Sequence, residues 1–158
     1  MKKSHHNNTF TAGFTLVEML IVIAIVAILA SVALVSVRGV RESASDTKRI
    51  SDLSKVQTFL EIYYNKTGKY PNETTWDGLQ TELQAQNIVA TNIPQDPLGV
   101  TRSYAYGVQP GTFQRYVLRA QLLDPAHKNL TDANEIDTTE YGVVCNDTND
   151  GYYCISSF

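Results

Sequence analysis

The sequence predicts an α+β fold, with one long N-terminal helix laid on a small antiparallel sheet. Three observations carry that expectation. An apolar run, GFTLVEMLIVIAIVAILASVALVSV over 13–37, follows a short polar leader. A stretch with apolar residues at three- and four-residue steps continues from it, with no proline before Pro71. In the C-terminal half the apolar spacing drops to two, the period of a half-buried strand.

The first helix is expected from about Phe14 to Lys66. Between Phe14 and Val37 there is neither proline nor glycine to kink it. A bilayer core of ~30 Å takes roughly 20 apolar residues in a helix, and this run is long enough. Its one charge, Glu18, lies near the N-terminal end. A carboxylate costs about 2.5–3.5 kcal/mol at the centre of a membrane helix on insertion scales, and such intramembrane charges are by default functional. Ala24, Ala27, Ala30 and Ala33 recur at three-residue steps, offering close approach to like helices. Beyond Gly39, a weak point that can mark a bend at the membrane surface, Ile50, Leu53, Val56, Leu60 and Tyr63 form a stripe that Phe59 and Ile62 widen. Lys48, Asp52, Lys55 and Glu61 fall off it. Gly68 stops the helix and Pro71 follows.

Thr74 or Thr75 caps a short helix running to about Gln86, with Trp76, Leu79 and Leu83 on one face. Asn92 to Gly99 reads as a loop, and Asp96 as a turn former before Pro97. Ser103–Val108 is a candidate strand. Phe113–Leu123 is another, with Tyr116, Leu118, Ala120 and Leu122 on one face. Arg115 and Arg119 lie on its other face with Gln121, and the two arginines read as a solvated or intersubunit surface. After a polar excursion from Asp124 to Thr139, Glu140–Cys145 and Tyr152–Ser156 flank a turn at Asn149-Asp150-Gly151 and read as a hairpin.

The chain has 158 residues and a formal net charge of −3. That balance, with no basic cluster outside Arg38–Arg49, argues against a general nucleic-acid surface. The two cysteines, Cys145 and Cys154, bound CNDTNDGYYC. Outside the cytoplasm such a pair is expected as a disulfide. Closing so short a loop stabilises by somewhat under ~3 kcal/mol in the chain-entropy model. Within the loop, Asp147, Asn149 and Asp150 are candidate calcium ligands, with Asn146 beside them. Calcium takes roughly six to eight oxygens, and the loop supplies part of that set. The same residues are also the ordinary vocabulary of turns, and their spacing matches no full EF-hand loop. Nucleophile elbow, phosphate loop, HExxH and CxxC motifs are absent, so nothing points to an enzyme. His127 reads as a solvated loop residue.

The leader, MKKSHHNNTFTAG, carries two lysines and no acid. A secretory signal is cut after its apolar core, following small residues. Here the small residue, Gly13, precedes the apolar run, and Arg38-Gly39-Val40-Arg41 follows it. Gly13-Phe14-Thr15-Leu16-Val17-Glu18 resembles the prepilin cleavage motif of type IV pilins and of the pseudopilins of type II secretion. The resemblance implies a pilin-like fold. It also implies a cut between Gly13 and Phe14, N-methylation of Phe14, and a role for Glu18 in assembly and axial register. The chain then divides into a leader (1–13), a transmembrane and filament-core helix (14–37), and an amphipathic helix half with a globular head (38–158). Losing the leader removes two lysines and no acids, taking the side-chain charge from −3 to −5. Many type IV pilins carry a proline about two-thirds along the apolar run, where this chain has Val35.

What the resemblance implies about function is a structural subunit of a membrane-assembled helical filament. Gly68-Lys69-Tyr70-Pro71, Asp96-Pro97 and Tyr104-Ala105-Tyr106 resemble the major pseudopilin, which implies the pseudopilus of a type II secretion-like system and a calcium-holding C-terminal loop. The Cys145–Cys154 loop favours instead a type IV pilin for adhesion, motility or DNA uptake, because major pseudopilins usually lack such a disulfide. A single-pass anchored binding module that never polymerises is the alternative of another class. The implied partners are other pilin or pseudopilin subunits, the prepilin peptidase, a membrane platform protein and, indirectly, an assembly ATPase. The implied location is the inner membrane, single-pass, with the head outside the cytoplasm and the filament in the periplasm or on the cell surface.

Overall fold

The N-terminal apolar run and the amphipathic stretch after it share one helix, α1 (Leu16–Thr67), in the computed structural model of the chain. The structure describes residues 13–130, 139–145 and 151–157, and within these the side chains of 33–38, 100 and 139 lie outside the description. Two units divide the chain, Met1–Gly39 and Val40–Phe158. In the first, the side chains of Phe14 and of Leu16 to Val32 are exposed. Among the described residues, no helix is long and apolar enough to cross a membrane, and the last part of the expected span falls on undescribed side chains.

In the second unit the expected stripe packs as one face. Leu53, Val56, Leu60 and Tyr63 are buried and Ile50 and Phe59 half-buried. Ile62 does not widen the stripe: it is 47% exposed, because it falls on the water side of the turn between Phe59 and Tyr63. Gly68 takes a positive φ of 76° and its N–H donates to the Tyr64 carbonyl at 2.8 Å, ending the helix where glycine alone fits without strain. Next comes α2 (Trp76–Ala85), capped by Thr75, whose Oγ accepts from the Gly78 N–H at 3.0 Å. Trp76, Leu79 and Leu83 are buried.

Three strands form one antiparallel sheet in the order β1 (Ala105–Val108), β2 (Tyr116–Gln121), β3 (Tyr152–Ser156). Leu118 lies opposite Tyr106 on one side and Ile155 on the other. Tyr106, Tyr116, Leu118 and Ala120 join the α1 and α2 residues in the main core. The hairpin expected between Glu140–Cys145 and Tyr152–Ser156 does not form; β3 pairs with β2. Thr139–Tyr141 is a single 3-10 turn, Gly142 has φ 71°, and 143–145 is irregular. A residue in the left-handed region breaks a ladder, so the alternation of Tyr141, Val143 and Cys145 marks burial without pairing.

Beside this apolar packing, a buried ionic contact ties α1 to the rest of the head. Arg49 is the largest fully buried side chain among the described residues. Its Nε and Nη2 donate to the two Asp96 oxygens at 2.7 and 2.9 Å, and Nη1 donates to Asp46 Oδ1 at 2.8 Å. Asp96 also accepts the Leu98 N–H at 2.8 Å, and Asp46 accepts the N–H groups of Leu123 and Asp124 at 2.8 and 3.0 Å. Asp96 is therefore more than a turn former, and Arg49 is not part of a basic surface. One turn on, Asp52, expected off the stripe, is buried and accepts from Tyr104 Oη at 2.9 Å and Lys48 Nζ at 2.7 Å. Glu61, also off the stripe, accepts from Tyr70 and Tyr116. Burial pushes Tyr70 up to about 12, with help from its hydrogen bond to Glu61.

Burial pushes the Asp96 carboxyl up, but the Arg49 hydrogen bonds and charge, with the Leu98 N–H, outweigh it and hold the group below the ordinary carboxylate value. A depressed folded-state pKa contributes stability that is complete above the unfolded value of ~3.9 and is lost as pH falls through the lower folded value. Urea unfolding of the head should therefore show stability falling below about pH 4. Asp96→Asn should flatten part of that slope. Arg49→Met, which strands two buried carboxylates, should cost about 3–5 kcal/mol near neutral pH. A change under about 0.5 kcal/mol for Arg49→Met, within the range of ordinary surface substitutions, contradicts the role assigned to the triad.

Candidate functional site: the capped apolar helix end and the disulfide-bound segment

The first turn of α1 is closed by a reciprocal pair of contacts. Thr15 Oγ accepts from the Glu18 N–H at 3.2 Å, and Glu18 Oε2 accepts from the Thr15 N–H and from its hydroxyl, both at 3.3 Å. With Leu16 the first helical residue, Thr15 is the N-cap and Glu18 the third residue, which is a capping box. Two of the otherwise unpaired N–H groups at the helix end are thereby satisfied, and the carboxylate sits where the helix dipole favours negative charge. The spacing Thr-x-x-Glu ahead of an apolar run is a sequence signal for this arrangement, and reading Glu18 for assembly alone passes over it. Gly13 is exposed just ahead of the helix, and Phe14 is 77% exposed. The scissile bond and the carboxylate of the expected site thus share one accessible helix end.

The expected disulfide is present: Cys145 and Cys154 are bonded, with Cα atoms 6.2 Å apart. It joins β3 to the segment Thr139–Cys145, whose Tyr141, Val143 and Cys145 pack on Val117, with Ala105 and Cys154 alongside. Strand alternation puts these residues on the face of the sheet opposite the main core. Gly107 makes room for the segment, since a Cβ there would collide with the Tyr141 carbonyl oxygen and approach Val143 Cγ2 to 2.9 Å. Arg119 donates to the Val144 carbonyl at 3.0 Å and lies over the Tyr152 ring at 4.3 Å. It is half-buried and engaged within the head, and so is less solvated than the solvated or intersubunit surface expected from the strand pattern. Ordering about seven residues costs roughly 1–2 kcal/mol of backbone entropy each. Burying a Tyr or Val side chain returns about 1.5–3 kcal/mol. The two quantities are of similar size, and the covalent link adds to the burial side.

Asp147, Asn149 and Asp150 lie outside the described residues, as does most of the expected turn at 149–151. Among the described residues, no group of three His, Cys, Asp or Glu can hold a metal ion. His127 is half-buried, and its Nδ1 accepts from the Asn129 N–H at 3.2 Å.

A long helix with an exposed apolar N-terminal stretch and a capped acidic first turn, continuing into an α+β head, defines the pilin class of filament subunit. Residues 10–34 match the Prokaryotic N-terminal methylation motif. The chain is 36% identical over 98 residues to type II secretion system core protein G of Klebsiella pneumoniae, covering 55% of this chain and 69% of that protein. It is 32% identical over 117 residues to the protein of the same name from Escherichia coli K12, covering 67% and 77%. For the Vibrio cholerae protein the figures are 30% over 118 residues, 68% and 80%. The chain belongs to the family of type II secretion system core protein G, the major pseudopilin. No solved structure gives a significant match.

The capping box generates a local expectation. Thr15→Ala removes the bond its hydroxyl accepts from the Glu18 N–H and the one it donates to Glu18 Oε2, keeping only the backbone N–H bond to that carboxylate. It should weaken the first turn by about 1 kcal/mol, or roughly fivefold faster amide exchange at Glu18 and Met19 in detergent micelles. Thr15→Ser should leave those rates unchanged. Equal rates in Thr15→Ala and the unsubstituted chain mean that the cap contributes nothing.

Proposed function

We propose that the chain is a structural subunit of the pseudopilus of a type II secretion-like system. It is stored in the membrane as a precursor and polymerises after its leader is cut between Gly13 and Phe14. The observation that carries this is Gly13-Phe14-Thr15-Leu16-Val17-Glu18 at an exposed helix end, directly before an apolar run. The cut removes the two leader lysines and exposes an α-amine on Phe14, which becomes N-methylated. In the filament the amine of one subunit neutralises Glu18 of its neighbour. Inside an apolar medium a paired charge is tolerated where a lone one is not. Glu18 thereby sets axial register. Lipid around the run is replaced by like helices whose small side chains allow close packing. The segment 14–37 is then a single membrane pass, with the head outside the cytoplasm.

The prepilin peptidase, a membrane platform protein and, at one remove, a cytoplasmic assembly ATPase are the partners this mechanism requires. The chain carries no chemistry of its own in it, and its acidic balance suits no nucleic acid. The names of its relatives favour secretion over a type IV pilus, although the disulfide by itself leans the other way. Calcium at Asp147, Asn149 and Asp150 remains a proposal resting on their oxygen ligands.

Mass spectrometry of protein from native membranes should find Phe14 as a methylated first residue. Gly13→Ala should leave the leader on and stop assembly; an anchored receptor would keep its binding. Glu18→Ala should be processed and membrane-bound but poorly assembled, and normal filament yield would refute the pairing. If calcium binds, excess calcium should raise the thermal midpoint relative to chelator. An unchanged midpoint rules the site out.

A further inference from the structure

We infer that Thr139–Cys145 is a strap latched over the outer face of the sheet by a thiol–disulfide exchange step that acts on a head whose core is already folded. The chain is in this respect a substrate for a disulfide-carrying dithiol oxidoreductase in an oxidising compartment. The compartment is taken from the function proposed above; the geometry of the strap is independent of it.

Two apolar clusters on opposite faces of the sheet carry the inference. The main core gathers α1, α2 and the inner residues of β1 and β2, and neither Tyr141, Val143 nor Cys145 belongs to it. The outer cluster is Val117 under those three residues, with Ala105 and Cys154 at its margin. Whereas β1, β2 and β3 hold one another through ladders, the strap belongs to no strand. Its described ties include the Arg119 bond to the Val144 carbonyl and an exposed bond from Gln109 Nε2 to Glu140 Oε1 at 3.2 Å. The disulfide anchors its C-terminal end to the middle of β3, at the residue opposite Arg119. The latch therefore governs the outer cluster and leaves the inner one to stand without it.

The chemistry balances as two exchanges. One cysteine thiolate attacks a sulfur of the donor's disulfide, forming a mixed disulfide and releasing a donor thiolate. The second cysteine thiolate then attacks the mixed disulfide, forming the Cys145–Cys154 bond and releasing the donor as a dithiol. Two electrons pass to the donor, and the two thiol protons end on its sulfurs.

The test uses the full chain in detergent, oxidised or reduced with dithiothreitol and alkylated, followed by amide hydrogen exchange. Reduction should speed exchange in 139–145 by about tenfold or more while 53–63 and 116–120 change by less than about twofold. Acceleration of all three segments alike, or of none, overturns the latch. Gly107→Ala places a methyl against the Tyr141 carbonyl and should slow reoxidation of the reduced chain by oxidised glutathione about tenfold. Val143→Ser, outside the sheet, should act in the same direction if Gly107→Ala fails to fold. Reoxidation of Val143→Ser at the unsubstituted rate overturns the requirement for strap packing. In intact cells the membrane-bound chain should resist thiol alkylation, and a host lacking its extracytoplasmic disulfide donor should accumulate the alkylatable form. Free thiols in the unperturbed host overturn the exchange step, whatever the state of filament assembly.

Discussion

A guanidinium buried between two carboxylates organises the head. Arg49 lies on α1, Asp46 one turn before it, and Asp96 in the loop after α2. Asp46 also receives the backbone N–H groups of Leu123 and Asp124, at the end of the sheet's central strand. A buried ion pair is weak ground for stability, because desolvation offsets most of the attraction. It is stronger ground for register. The planar fork of Arg49 is satisfied only when helix, loop and strand end stand in one arrangement, and any slip leaves a buried charge unpaired. Apolar packing along Leu53, Val56 and Leu60 supplies the burial. The ionic contact adds a directional requirement to it.

The apolar residues of α1 are exposed in its first part and buried in its last. From Phe14 to Val32 the apolar side chains are exposed, which in water is a liability and which the proposed membrane and filament settings would cover. From Asp46 to Thr67 the same helix presents a patterned face to the head's core. The capping box adds a local role to Glu18. A carboxylate that satisfies its own helix end is oriented before any neighbour arrives, so the group proposed to pair between subunits is already held at the helix terminus. The Thr15–Glu18 contacts and the Cys145–Cys154 latch resemble each other in this respect. Each fixes a short segment by specific bonds.

Much of the architecture could be read directly from residue spacing. The stop at Gly68, the Thr75 cap with Trp76, Leu79 and Leu83, and the strand at Tyr152–Ser156 all follow local rules of backbone geometry and period. The motif at Gly13–Glu18 was also readable as a family signal, because it is compact and ordered in sequence, but the capping contact between Thr15 and Glu18 was not read from it. Glu140–Cys145 shows where such reading stops. Tyr141, Val143 and Cys145 alternate and are buried, as in a strand. Alternation does not report whether the backbone joins a ladder or crosses a face, and Gly142 with the close approach over Gly107 decided for crossing.

By itself the sequence determined the helix with its apolar half, the Thr75 cap and the Gly68 stop, the three strands that pair and the cysteine pair, because each depends on neighbours within a few residues. Only the tertiary structure decided that Arg49 reaches Asp96, 47 positions further along the chain, that Asp52 is buried beneath Tyr104, and that β3 pairs with β2. A charged residue in a helix pattern carries no mark of the partner that will neutralise it. That partner is chosen by how distant segments pack, and the energy of leaving a charge alone in the interior enforces the choice.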